Sequence, residues 1–315
     1  MRSWTPASGT TSAAGASAVE DARALELRPA PRARAWYVEV WGQMLRRKPL
    51  GTVGGVIVLV MLAAAVLADV LTPYGFSETN LRERFIAMDG GHWLGTDQLG
   101  RDVLTRILYG ARISLYVGFG AVTLGSVLAT LLGIASAYFG GRLDLFLQRG
   151  VDAWMAFPGL LLLMTILSLL GPGVWNITLV LGAAFGIQNS RIVRGVALSI
   201  KENTYIEGAR AAGAGHLRVT IVHILPNALP TIIVVATTGL STVILTEASL
   251  SFLGLGVPPP YPTWGGMLSL AGLDHMYRAP WLAVWPAAAL SLAVFGFNML
   301  GDALRDLLDP RLKGG

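Results

Sequence analysis

Charge is absent from long stretches of this chain and gathered between them. Pro49–Ala68, Ile113–Gly141, Ala153–Ser190, Ile224–Thr246 and Ala279–Gly301 contain no Asp, Glu, Lys or Arg. A bilayer core of about 30 Å takes ~20 mostly apolar residues of helix. Ala153–Ser190 spans 38 residues, too many for one crossing. Gly171-Pro172-Gly173 interrupts it and predicts two helices joined by a tight turn. Ala248–Leu273 is also uncharged, but Pro258, Pro259, Pro260 and Pro262 break it, so it predicts a loop dipping at the membrane surface. The pattern predicts an all-α integral membrane protein with six spans, near 50–72, 113–139, 153–170, 174–190, 228–247 and 281–301.

The segment before the first span divides in two. Residues 1–35 are rich in Ala, Ser, Gly, Thr and Arg without apolar periodicity, and are expected to be disordered. They hold no apolar core of a signal peptide. Over 36–48, Trp36, Tyr37, Val38, Val40, Trp41, Met44 and Leu45 precede Arg46 and Arg47. That pattern predicts an amphipathic helix lying on the membrane surface, the alternative being a plain extension of the first span. Residues 49–315 then form one membrane domain.

Composition agrees. Hydrophobic residues make up 53% of the chain and charged ones 14%, against about 25% in a soluble domain. Mean hydropathy is +0.58. Cysteine is absent, which excludes disulfides, iron–sulfur clusters and thiol nucleophiles. The net charge of +5 rests on 24 basic residues, of which only Lys48, Lys201 and Lys313 are lysines, and no nucleic-acid role is read from it. With the N-terminus in the cytoplasm, 18 basic residues fall inside and 6 outside. Positive charge favours the cytoplasmic side, so both termini are expected there.

Several chemistries have no residues to carry them. No lysine follows a glycine, so there is no Gly-Lys-Ser/Thr phosphate loop. Neither His-Glu-x-x-His nor Gly-x-Ser-x-Gly occurs. His92, His216, His223 and His275 are scattered, and no metal site is expected. Ionisable residues are nearly missing from the spans, with Asp69 and Glu247 at span ends. Ion-coupled carriers place such groups near the midplane. A transporter of this composition takes its energy from a partner. The chain itself is expected to be no enzyme and to hold no cofactor.

The 191–227 connection is the longest on the cytoplasmic side. Thr204-x-x-Glu207 fits a capping box, and Gly213 fits the residue after a helix end. Between them lies a helix of about two turns with small residues Gly208, Ala209, Ala211 and Ala212. So short a helix is marginal alone. From the residues, a partner-docking face and a merely self-capped helix are equally open. On the outer side, Asp97, Arg101, Asp102 and Arg106 stand at offsets that let opposite charges pair if helical. They either brace the second span or touch a partner or the path. Glu247 has the same two readings. The Gly51/Gly55 and Gly182/Gly186 pairs are read as packing.

The run Glu207-Gly208-Ala209, Gly213 and His223-Ile224-Leu225-Pro226 resembles the EAA loop of ABC importer permeases, with Gly208 where Ala is usual and His223 where Ile is. His92 to Leu104, Tyr109 to Leu115, Glu247 to Gly256 and the tail Gly301 to Asp306 with Asp309 to Leu312 are similar to further blocks of the dipeptide/oligopeptide/nickel branch, C-type subunit. The resemblance covers roughly 46–312. It implies a type I importer architecture in which two homologous permeases pair in a bacterial inner membrane. One or two cytoplasmic ATPase subunits would bind ATP and Mg and grip the EAA loop. An extracytoplasmic binding protein would deliver di- or oligopeptides. By position, Thr204, Glu207, Gly208, Ala209, Gly213, His223, Leu225 and Pro226 would form the coupling loop, and Asp97, Arg101, Asp102 and Glu247 would lie at the path or outer face. A nickel or other small-solute permease shares these motifs. A membrane scaffold without transport is the remaining reading, disfavoured by a loop built for an ATPase.

Overall fold

The computed structural model describes residues 48–269 and 275–308. The expectations for 1–35, for the surface helix up to residue 47 and for the tail motif at 309–312 lie outside these residues. Among the described residues the regular secondary structure is helical, apart from one isolated bridge between Thr96 and Asp102.

Helix α1 (Pro49–Val66) opens with Pro49 in its first turn, where a missing N–H costs nothing, and is followed by α2 (Ala68–Leu71). A connecting segment with a 3₁₀ turn at Leu81–Glu83 leads to α3 (Val103–Phe139). This 37-residue helix begins ten residues before the predicted span. Asp102 fixes that start by accepting from Thr105 N at 2.7 Å. Its polar first turns hid the helix from a search for apolar runs. Helix α3 ends at Gly140, where φ is +63°. Then come α4 (Gly141–Met155) and α5 (Gly159–Leu170), bent by 91° at the Pro158 break. The Gly171-Pro172-Gly173 turn stands as predicted, and Asn176 Nδ2 donates to the Leu170 and Gly171 carbonyls at 3.0 Å, closing the end of α5. Helix α6 (Val174–Lys201) returns, and α7 (Thr204–Ala211) is the short helix of the connecting loop. The chain then runs through α8 (His216–Arg218) and a π-helical turn (Val219–Ile224) into α9 (Leu225–Phe252). The short α10 (Trp264–Leu268) follows the Pro-rich segment, and α11 (Trp281–Leu308) completes the described chain.

Four stretches are long and apolar enough to cross a membrane: α1, α3, His216–Phe252 and α11. The bent pair α4–α5 makes five. The six predicted spans are therefore not all recovered. Helix α5 has only 12 residues, about 18 Å of rise. Helix α6 is long enough but carries Asn176, Gln188, Asn189, Arg191 and Arg194. No crossing is added by 253–263, which holds a cis Pro259–Pro260 bond; α10 instead buries Trp264 completely.

Helices α3 and α6 make the closest crossing. A Cβ on Gly186 would stand 2.8 Å from the Gly125 carbonyl oxygen, and one on Gly125 would stand 2.6 Å from that of Gly182. Gly133 meets Ser190 in the same way one step further along. Small residues let backbones approach where apolar surface alone gives no driving force between helices in lipid. Around this crossing, Val117, Ala121, Ile177, Leu181, Phe185, Ile244 and Phe297 form the main core. Hydroxyls within the helices donate back to the preceding turn, as Thr130 does to Ser126 O and Thr178 to Val174 O, both at 2.7 Å. Gly186→Val is expected to force α3 and α6 apart and destabilise the chain by about 1–3 kcal/mol. The thermal unfolding midpoint of the purified protein in detergent reads that loss, and an unchanged midpoint contradicts the crossing.

Candidate functional site

The loop between α6 and α9 projects a helix that the rest of the chain barely holds. Of α7, only Ile206 is buried, fully, among Ala129, Ile134, Val193, Ala197, Val219 and Ile224. Thr204, Tyr205, Glu207, Gly208, Arg210 and Ala211 are exposed, and Ala209 is partly so. An added Cβ at Gly208 would meet nothing within 4 Å. One buried apolar residue anchors two turns of helix, and most of the remaining surface of α7 is exposed.

The predicted capping box is not formed. Asn203, not Thr204, precedes the first turn, and it makes no side-chain cap. Its amide donates instead to Ser199 O and Ile200 O, tying off the end of α6. Thr204 lies inside the first turn. The other end behaves as its sequence predicts. Gly213 has φ +84°, its N–H donates to Arg210 O at 2.9 Å, and Ala214 N–H donates to Ala209 O at 3.0 Å. This pair of bonds is the Schellman closure, which places a glycine in the left-handed region.

The base beneath α7 is stiff. Lys201 Nζ donates to the Ala137 and Tyr138 carbonyls at 3.0 and 2.8 Å, satisfying the end of α3. Tyr138 OH bonds His216 Nδ1 at 2.8 Å, and Arg210 lies 5.1 Å above the same ring. Arg194 grips Asp144 of α4 through two bonds of 2.7 and 2.6 Å, and Arg191 pairs with Asp152. His223 and Leu225 are part-buried in the turn that enters α9, and Pro226 is exposed in its first turn. Pro226 and Pro230 lack N–H donors, and the chain just before them widens into the π turn.

The other sequence-predicted residues lie at the opposite end of α3. Asp97 accepts from Leu99 N, Arg101 N and Arg101 Nε at 2.8, 3.0 and 2.6 Å, with Arg106 Nε at 3.7 Å. Arg106 also donates to Phe76 O at 3.1 Å. Asp97 and Arg101 precede the helix, so the supposed helical spacing does not hold, although Asp97 and Arg101 do pair. Asp102 is turned to Thr105 and to His92 Nδ1, 2.9 Å away, and not to Arg106. Trp281 Nε1 donates to Thr96 O at 3.1 Å and joins α11 to this platform. Glu247 is not at a span end: α9 continues to Phe252, and its carboxylate is fully buried, accepting from Ser114 at 3.1 Å and Ser251 at 2.6 Å. Among the described residues it has no ion-pair partner. No part of the structure brings Glu247 together with α7.

Two relevant groups escaped the reading of the sequence as site residues. His92 sits between Asp102 and Glu83, 3.4 Å from the latter, with Tyr74 stacked on it at 4.8 Å. Ser114 lies in an unbroken apolar helix, and only the fold shows its partner.

Comparison with known proteins gives a consistent set of similarities. Residues 121–314 match the family described as binding-protein-dependent transport system inner membrane component. Residues 36–87 match the N-terminal TM domain of oligopeptide transport permease C. The chain is similar to the dipeptide transport system permease protein DppC of Alkalihalophilus pseudofirmus, 40% identical over 90% of this chain and 94% of that one. It is 41% identical to a putative peptide transport system permease protein of Brucella suis, over 86% and 90%. It is 42% identical to the glutathione transport system permease protein GsiD of Pectobacterium atrosepticum, over 89% and 93%.

The His92 cluster yields a pH dependence. Burial pulls the imidazole pKa down, but bonds to Asp102 and Glu83 outweigh it and hold the folded-state value above 6.5. The cluster's stabilisation is therefore complete below pH 6.5 and is lost as pH rises through the raised value. His92→Gln should remove this slope. Thermal unfolding across about pH 5.5–8.5 measures it, and equal slopes in both proteins contradict the cluster.

Proposed function

The chain belongs to the binding-protein-dependent transport system inner membrane component family, and from that membership we propose how this permease subunit of an ABC importer works. With a second, homologous permease it forms a path for ATP-driven uptake of di- or oligopeptides. A binding protein delivers the peptide on the extracytoplasmic side. One or two cytoplasmic ATPase subunits bind and hydrolyse ATP with Mg, and the chain itself contributes no catalytic group. Both termini lie in the cytoplasm, as the 18 to 6 division of basic residues favours. The names of the dipeptide, peptide and glutathione relatives support a small-peptide solute over nickel.

The observation that carries this reading is the exposed α7, with Ile206 its one buried residue, closed at Gly213. A two-turn helix with a small-residue face fits a groove on a partner. Glu207, Gly208, Ala209 and Gly213 make the contact, and Thr204 opens the helix. His223, Leu225 and Pro226 set the direction in which the force leaves along α9. Rotation of α7 reaches α3 and α6 through the Ile206 cluster and the Tyr138–His216 bond. Asp97, Arg101 and Asp102 hold the outer platform in shape rather than touching solute, since their side chains are taken up by the network above.

Gly213→Val tests the coupling. Its φ of +84° costs a β-branched residue about 1–2 kcal/mol and shifts the helix end. The complex should still assemble and hydrolyse ATP, while peptide uptake in proteoliposomes falls to a small fraction of normal. Normal uptake by that variant contradicts the assignment.

A further inference from the structure

A cavity of about 360 Å³ opens between α5, α6 and α9. Its wall is unlike the wider groove of about 730 Å³ between α1, α3 and α6, which is almost wholly apolar apart from Arg112 at one edge. Gln188, Thr242, Thr246 and Ser249 line the smaller cavity, with Trp154 and Phe185, and no charged side chain does. Gln188 and Thr246 belong to stretches without charge, Ala153–Ser190 and Ile224–Thr246. The Phe185 ring fills the space a Gly239 side chain would need, near the middle of α9, and Gln188 lies one turn further along α6.

The polar groups are not self-satisfied in the same way. Asn189 donates back to Phe185 O at 2.9 Å. The exposed Gln188 amide has no hydrogen-bond partner among the described residues. Thr246 and Ser249, both lining the cavity, donate to Thr242 O and Leu245 O at 2.8 Å, and their oxygens keep the capacity to accept. An unpaired amide exposed to hydrocarbon costs several kcal/mol. Polar side chains at this depth face a bundle interior or water. The concave shape favours water and a solute over a flat packing surface.

We infer that this cavity is the subunit's share of the solute path, with Gln188 and Thr246 as its hydrogen-bonding contacts to peptide groups. The inference rests on the transport reading above. Gln188 offers both a donor and acceptors, and the hydroxyl oxygens offer acceptors, which together suit the N–H and C=O of a peptide backbone. An uncharged wall neither traps nor repels peptides by the charge of their side chains.

The cysteine-free chain permits a direct test. Gln188→Cys and Thr246→Cys are made singly in the full chain, with Val127→Cys of the apolar groove as reference. Each is assembled with its partners in membrane vesicles and exposed to a charged, membrane-impermeant maleimide. The thiol must be hydrated and ionised to react, so the path cysteines should label about tenfold faster than the reference. A transported dipeptide should slow that labelling. Either position carries the test if the other variant fails to assemble. Labelling as slow as at position 127, in complexes that retain their ATPase and import dipeptide, overturns the inference. Fast labelling that no dipeptide slows overturns the peptide contact. Dipeptide uptake by the unsubstituted complex is measured alongside. If it is absent while the cysteines react, the peptide reading fails and the water-filled path stands.

Discussion

Hydrocarbon offers no hydrogen-bond partner, and this single constraint orders the whole chain. Backbone groups are satisfied by long helices. Many serine and threonine hydroxyls inside them bond the preceding turn. Glu247, buried entirely, survives there because Ser114 and Ser251 both donate to it. Removing either donor would leave part of a buried carboxylate unsatisfied, a loss of about 1–3 kcal/mol. Most charged groups lie at the ends of the bundle, and the two ends are built differently.

At the platform end, charges close on themselves. Asp97 alone takes three close donors and fixes the turn before α3, while Trp281 and Trp264 tie α11 and α10 to it through carbonyls of Thr96 and Ile107. At the loop end the scaffold is equally tied, by Lys201, Arg194 and Tyr138, but α7 meets it mainly through Ile206 and Arg210 and is otherwise exposed. A rigid base under an exposed helix is what a lever requires. On the proposed mechanism, force applied to α7 would have few soft contacts to dissipate in before reaching α3, α6 and α9. The glycine crossing at Gly125 and Gly186 packs α3 and α6 backbone against backbone.

Much of this was legible in the chain. The apolar runs located α1, α9 and α11, and Gly171-Pro172-Gly173 marked its turn because glycine and proline state backbone geometry directly. Gly213 was legible for the same reason. The errors share a cause. The start of α3 lies in polar turns that an apolar search passes over, and Thr204 does not cap α7 because Asn203 precedes the first turn and turns its amide back to α6. Glu247 was set at a span end because a carboxylate ends an apolar run, whereas the serines that shelter it lie 133 and 4 residues away. The span count depended on α5 and α6, one too short and one too polar to be judged by hydropathy alone. The EAA-like motif singled out the 191–227 loop, but the exposure of α7 and the burial of Ile206 beneath it are properties of the fold.

The central claim is that α7 is gripped by an ATPase. Gly208→Cys tests it most directly, because the added side chain meets nothing of its own chain within 4 Å and the protein has no other cysteine. A short photoactivatable cross-linker attached there, in membranes containing the assembled transporter, should capture a nucleotide-binding subunit. Adducts with extracytoplasmic protein, or none while the ATPase remains bound, would contradict the account.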